Sequence, residues 1–114
     1  MLIISSTATI AAGGSQSNVI DTEHTVLTGI VMPAAWTAAD LTVLASTHKE
    51  GTFLPVYDDA GAEVVIKAAA SVCIGIDVAA LKLAAFRYIK LRSGTAGTHV
   101  NQADARAITI VMKG

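Results

Sequence analysis

The short interval between turn signals is the feature of this chain that most restricts its fold. Gly13-Gly14, the polar run 47–51, the sequence DDAG at 58–61 and Ser93-Gly94 divide it into short runs. These runs are rich in Val, Ile, Leu and Thr, and the branched residues among them favour strands. Short strands separated by frequent turns are typical of an all-β sandwich or barrel.

About eight runs have the composition of strands, which is the strand number of a jelly roll, where two antiparallel sheets share one core. They are 3–10, 26–32, 41–47, 51–59, 63–68, 71–76, 87–93 and 107–113. Pro55 predicts an edge or bulged strand, because proline cannot donate to a ladder of hydrogen bonds. The run 26–32 is almost continuously apolar, which predicts a strand buried on both faces.

Two other segments favour short helical turns. They are 36–41 and 77–86, the second because Ala and Leu are strong helix formers and Asp77 can cap its start. We therefore predict an antiparallel β-sandwich of jelly-roll type with about eight strands and one or two short helical turns. One domain would span residues 1–114. Residues 1–13, rich in Thr and Ser and short of charge, are predicted to form a first strand or an extended N-terminal arm.

Alternation along the strands identifies a candidate core and a candidate interface. On the 87–93 strand, Ile89 and Leu91 share one face, and the other face carries Tyr88, Lys90 and Arg92. In a chain of net charge −1, cations on this strand are most simply partners for acidic groups, within the fold or across a subunit contact. Tyr88, Lys90 and Arg92 are therefore the candidate interface. The candidate core is Trp36, Leu41, Val43, Phe53, Val64, Ile66, Ile89, Leu91, Ile108 and Ile110.

The charge content points to an assembly. Charged residues make up 15% of the chain, against about 25% in an average soluble domain. So weakly charged a surface is easier to understand if partner subunits cover part of it, in a homo-oligomer or a symmetric array. A net charge of −1 gives no field that would attract nucleic acid or an anionic membrane. Asp77 and Lys82 interrupt the most apolar region, 68–86, so no membrane span is predicted.

No residues have the spacing of an active site or a metal centre. The three histidines, His24, His48 and His99, stand far apart, and none has a second His or Cys at ligand spacing. The DDAG sequence predicts a turn, and a calcium site there would need oxygen ligands from elsewhere. Neither a nucleophile motif nor a phosphate loop is present. We predict a protein that is not an enzyme and has no catalytic, cofactor or metal site.

Cys73 and Trp36 each occur once as residue types. A single cysteine excludes an internal disulfide, and the apolar setting SVCIGI predicts that Cys73 is a small buried hydrophobe. Trp36 is predicted to anchor the core. If it were exposed, it would be a candidate for stacking on a sugar ring or for a subunit contact.

Four segments together resemble a family of small β-sandwich proteins encoded among the virion genes of tailed bacteriophages and prophages. They are MPAAWTAADLTVLAST (32–47), GTFLPVYDDAGAEVVI (51–66), RYIKLRSGT (87–95) and ARAITIVMKG (105–114). The resemblance covers residues 14–114 and is a pattern of strands and turns. It implies a structural protein of the virion, assembled in the host cytoplasm. As a capsid decoration (cement) protein it would bind the major capsid protein or other virion subunits, and a tail or collar component is the alternative.

The segment RYIKLR is also similar to a strand of discoidin-like carbohydrate-binding jelly rolls. This likeness implies a carbohydrate-binding module used in host adsorption. Its stacking platforms would be Trp36, Tyr57 and Tyr88, and its hydrogen-bonding partners Asp58 and Arg92. An aromatic content of only 4% argues against it, because sugar sites depend on exposed rings.

Overall fold

Nine β-strands form two antiparallel sheets in the computed structural model, which describes residues 2–77 and 85–114. The strands are β1 (Ile3–Ile10), β2 (Ile20–Asp21), β3 (Val26–Val31), β4 (Leu41–Ser46), β5 (Leu54–Pro55), β6 (Val65–Ile66), β7 (Cys73–Gly75), β8 (Tyr88–Ser93) and β9 (Arg106–Lys113). The first sheet has the order β1-β9-β3-β7. The second has the order β2-β8-β4-β5, and β6 pairs with β4 beside β5. The prediction of an all-β fold with two antiparallel sheets is confirmed.

One aliphatic core fills the space between the sheets. Strand β9 shows why the chain folds this way, because its buried and exposed residues alternate along its whole length. Ile108 and Ile110 are fully buried from the first sheet, and Ile89 and Leu91 meet them from the second. Burying one such side chain contributes about 1.5–3 kcal/mol relative to leaving it in water. Burial of such side chains from both sheets therefore supplies the main force that holds them together.

Most of the predicted core residues lie in this core. Those that are buried there are Leu41, Val43, Val64, Ile66, Ile89, Leu91, Ile108 and Ile110. Trp36 is half-buried at the rim of the core, and its Nε1 donates a hydrogen bond to the Ala39 carbonyl at 3.1 Å. Phe53 lies outside the core, because its ring packs against the Lys90 ammonium, 4.7 Å from the ring centroid.

Strand β3 is buried on one face, not on both as its apolar run predicts. A β-bulge between Leu27 and Gly29 shifts the register against β9. The extra residue brings Leu27 and Ile30 to the same inward face, since a bulge interrupts the two-residue alternation. Val31 then points outward and is 40% exposed.

The predicted helical turn at 36–41 is absent. Residues 36–40 are irregular and β4 begins at Leu41. The side chain of Gln102 forms hydrogen bonds with both backbone groups of Thr37. The Thr37 N–H donates to the Gln102 Oε1 at 2.8 Å, and the Thr37 carbonyl accepts from the Gln102 Nε2 at 3.0 Å. These are the groups that a helical turn would use. Most of the other predicted turn, 77–86, lies outside the described residues. No helix in the described part of the chain could span a membrane by its length and apolarity.

Residues 3–10, predicted as a first strand or an arm, lie in the first sheet as β1. They pair with β9 in an unbroken register from Ile3↔Lys113 to Ile10↔Arg106. Ala8 and Ile10 are fully buried in the core. The segment is therefore held in the sandwich as an edge strand by its own apolar face, and it does not extend away as an arm.

A buried glutamine joins four segments at one end of the sandwich. The Gln102 Nε2 donates to the Thr37 carbonyl at 3.0 Å and to the Ser93 Oγ at 2.8 Å. Its Oε1 accepts from the Thr37 N–H at 2.8 Å and from the Arg106 Nε at 3.1 Å. Every hydrogen bond that a glutamine side chain can readily form is made, so its burial leaves no polar group without a partner.

Replacing Ile89 by alanine should destabilise the fold by about 2–5 kcal/mol, because the change removes a buried side chain and leaves a cavity. Ile3→Ala is the matched control: Ile3 is 59% exposed, and its loss should change stability by less than about 0.5 kcal/mol. Chemical denaturation of both variants measures the difference. Equal effects would show that the inward face of β8 is assigned wrongly.

Candidate interaction surface

Strand β8 carries the predicted interface residues, and they have different surroundings. Tyr88 and Lys90 are half-buried, with the Arg87 guanidinium 5.1 Å from the Tyr88 ring centroid. Arg92 is only 7% exposed. Its Nε donates to the Thr42 Oγ1 at 3.0 Å, and its Nη2 forms an ion pair with Glu63. Arg92 is therefore an internal residue and cannot serve the predicted interface, whereas the roles of Tyr88 and Lys90 stay predictions.

The Arg92–Glu63 ion pair joins the second sheet to two loops. Glu63 lies between β5 and β6, and its side chain is 13% exposed against 8% for that of Arg92. Both carboxylate oxygens of Glu63 also accept from the Ala96 N–H, at 3.1 Å each. Buried charges are tolerated when they are paired and hydrogen-bonded. The 94–99 loop also requires Gly94, whose φ is +92° and whose added Cβ would lie 2.5 Å from the Thr98 carbonyl oxygen.

The other ion pairs of the described residues lie on the outside of the molecule. Arg87 donates to both carboxylate oxygens of Asp21, at 2.8 and 3.2 Å, and this contact lowers the pKa of Asp21. Lys67 donates to Asp40 at 3.0 Å and lowers the pKa of Asp40 in the same way. Both acids lie in or next to strands of the second sheet. The cations of this side are largely occupied by acids of the same chain.

Two of the residues named for a sugar site, Asp58 and Arg92, make their hydrogen bonds within the fold. Tyr57 is 51% exposed, but the hydrogen-bonding groups predicted to accompany it are engaged elsewhere. The Asp58 Oδ1 accepts from the N–H groups of Ala60 and Ala62, at 2.9 Å each, which confirms the predicted turn. Arg92 is paired with Glu63. Ring stacking without polar partners gives a sugar little orientation.

The remaining candidates for chemical function are the three histidines and Cys73. His24, His48 and His99 are all exposed. Among residues 2–77 and 85–114, no group of three His, Cys, Asp or Glu side chains could hold a metal ion. Cys73, predicted to be buried, is exposed. The register Ile30↔Ile74 turns Ile74 towards the core, so its neighbour Cys73 must point outward.

The outer face of the first sheet is a surface that the sequence analysis did not identify. Twelve positions of the cross-strand register lie on it, and we call this surface the neutral face, because Lys113 is its one charged residue. Val26, which pairs with Lys113, is not counted because it packs against the core. The positions are Ile3, Ser5, Thr7, Thr9, Gly29, Val31, Cys73, Gly75, Ala107, Thr109, Val111 and Lys113. Small, uncharged side chains thus cover a four-stranded sheet.

The neutral face has a shallow depression on its β3–β7 side. Gly29 and Gly75 are opposite each other in the sheet, and Val111 lies opposite Gly29 on β9. A Cβ atom added at Gly75 would have no heavy atom within 4 Å. The missing side chains leave a recess between Val31 and Val111. A partner surface can approach the backbone closely at this point.

Comparisons of the chain with protein-family models, with curated proteins and with solved structures find no match. The likeness to phage virion proteins therefore depends on the four segments quoted above. What the structure adds is the location of charge: paired ions on and around the second sheet, and a nearly uncharged outer face on the first.

Removing the carboxylate of Glu63 should be costly, because it leaves the buried Arg92 charge without an acidic partner. We expect Glu63→Ala to lower stability by about 3–5 kcal/mol and Glu63→Gln to lower it less, since an amide still accepts from the guanidinium. Asp59→Ala, at an exposed position of the neighbouring turn, is the control. Urea denaturation of the three variants compares them. A loss below about 1 kcal/mol for Glu63→Ala would mean that water already solvates the pair.

Proposed function

We propose that this chain is a non-enzymatic structural protein of a tailed-phage virion. Its role would be capsid decoration: it would stabilise the head through contacts with the major capsid protein and with neighbouring subunits. The neutral face is the observation that carries this proposal. Charged residues are depleted in the centres of protein interfaces, because their desolvation opposes binding. A four-stranded face with one charge among twelve positions has that composition.

We also propose that the sandwich is a jelly roll. With β5 and β6 counted as two parts of one strand, the eight strands numbered along the chain have the orders 1-8-3-6 and 2-7-4-5. These orders support the assignment, because a jelly roll folds two Greek keys into two four-stranded sheets. Capsid and lectin domains both use this architecture, so the fold agrees with a virion role without selecting it.

The size of the neutral face suits a contact that symmetry repeats. Strands of eight, eight, six and three residues give the neutral face roughly 400 Å², from standard strand spacings. Stable pairwise interfaces bury about 800 Å² on each partner. One such contact would be weak, but an array in which every subunit makes the same contacts gains strength from multivalency.

The proposal is tested by counting copies in purified virions of the phage that encodes the chain. Quantitative mass spectrometry against the major capsid protein should give on the order of hundreds of copies per particle, as icosahedral repetition requires. A handful of copies would overturn the decoration role and favour a tail or collar component. Complete absence from the particle would overturn the virion role itself.

A charge placed on the neutral face should reduce incorporation into the particle. Thr109→Glu introduces a carboxylate at an exposed central position of β9, which is flanked by Thr7 and Val31. We expect its copy number to fall at least about tenfold, because binding would bury an unpaired charge. Ala60→Glu, in an exposed turn between β5 and β6, is the control and should be incorporated normally. Equal incorporation of both variants would exclude the neutral face as the contact surface.

A further inference from the structure

The free edge of β1 differs from the other sheet edges in the described part of the chain. Strands β2, β5 and β6 have two residues each and β7 has three, and Pro55 lies in β5. Short edge strands and proline are common devices that prevent edge-to-edge pairing. Strand β1 has eight residues with no charge, no proline and no register shift. It is a regular edge without those protections.

The hydrogen-bond pattern shows which residues of β1 face outward. Leu2 and Gly114 exchange reciprocal backbone hydrogen bonds at 3.0 Å. Such pairs recur at every second residue of an antiparallel ladder, so the even-numbered residues of β1 bond to β9. The N–H and C=O groups of Ile3, Ser5 and Thr7 therefore point to the free edge.

Thr9, the next odd-numbered residue of β1, supports this assignment of the outward-facing backbone groups. The Thr9 N–H donates to the Asn18 Oδ1 at 2.8 Å, and the Thr9 carbonyl accepts from the Asn18 N–H at 3.3 Å. The segment around Asn18 thus closes the edge at its far end. In the part of the chain that the structure describes, the edge from Ile3 to Thr7 has no paired strand. Leu2 and Ile3 are 52% and 59% exposed beside it.

We propose that β1 pairs edge to edge, antiparallel, with β1 of a second copy of this chain. A two-fold axis through Ser5 places Ser5 of each copy opposite Ser5 of the other, and Ile3 opposite Thr7. All three outward residues then form reciprocal pairs, with about six backbone hydrogen bonds in total. A shift of the register by two residues would leave one outward residue of each copy unpaired.

The occupant is a second copy because the edge is complementary to itself. Hydrogen-bonding groups at positions 3, 5 and 7 match the same groups of an antiparallel copy, and the contact brings no like charges together. A two-fold axis perpendicular to the sheet also keeps the two neutral faces on the same side. The pairing does not depend on the proposed virion role. It concerns the purified chain.

The pairing can be tested by removing one outward N–H group. Ser5→Pro deletes a donor that the chain's own sheet does not use, and proline is tolerated on an edge strand with its nitrogen facing solvent. Sedimentation equilibrium should show a dimer for the natural chain and a dissociation constant raised at least about tenfold for the variant. Ser5→Ala, which keeps the N–H group, is the matched control and should dimerise normally. A monomeric natural chain, or unchanged dimerisation of Ser5→Pro, would overturn the proposal.

A cross-linking experiment tests the register and covers the case in which Ser5→Pro does not fold. Opposed residues of a reciprocal pair have Cα atoms about 5.5 Å apart, within the range of a disulfide. In a Cys73→Ser background, Ser5→Cys should therefore form a disulfide-linked dimer under mild oxidation. Thr9→Cys is the control, because the Asn18 segment covers the edge there. Cross-linking of Ser5→Cys no faster than that of Thr9→Cys would contradict the two-fold through Ser5.

The two proposals fail in different measurements. A dimer of the purified chain together with a low copy number in virions would leave the edge pairing intact and overturn capsid decoration. A high copy number in virions together with a monomeric purified chain would support capsid decoration and overturn the edge pairing.

Discussion

The aliphatic layer between the two sheets is the interaction on which the rest of the structure depends. Ile108 and Ile110 enter it from one sheet, and Ile89 and Leu91 from the other. Because strand side chains alternate, each residue that this layer buries fixes its neighbours on an outer face. The residues that the core buries therefore determine which residues form the two outer surfaces, one rich in paired charge and one nearly neutral.

Polar groups close the sandwich where the aliphatic layer ends. Gln102 satisfies the backbone of Thr37, while Glu63 pairs with Arg92 and holds a loop through the Ala96 N–H. Both networks bring together segments that are far apart in the sequence. Since a buried polar group without a partner costs about 1–3 kcal/mol, such networks define one arrangement of the loops rather than many. They leave Arg92 with a structural role.

Local sequence patterns predict the fold well where residues that are neighbours in the sequence determine the structure. Alternation identifies Ile89 and Leu91 as core residues, and DDAG identifies a turn. Prediction from local patterns fails at residues 36–40, where hydrogen bonds with the Gln102 side chain override the local helix preference. It also fails after Leu27, where a β-bulge breaks the alternation. The neutral face could not be predicted at all. It exists because β1 pairs with β9 at the opposite end of the sequence, and no local pattern encodes that pairing.

The neutral face and the open edge of β1 belong to the same sheet, and this gives them a joint consequence. Pairing of two copies at Ser5 would continue one sheet across eight strands, with both neutral faces on one side. The area of the combined face would then double to about 800 Å², which matches the roughly 800 Å² that each partner buries in a stable interface. A surface too small for a firm contact in one subunit would become sufficient in two. Edge pairing would thus act as a step that strengthens attachment to a larger assembly, without any change within the sandwich.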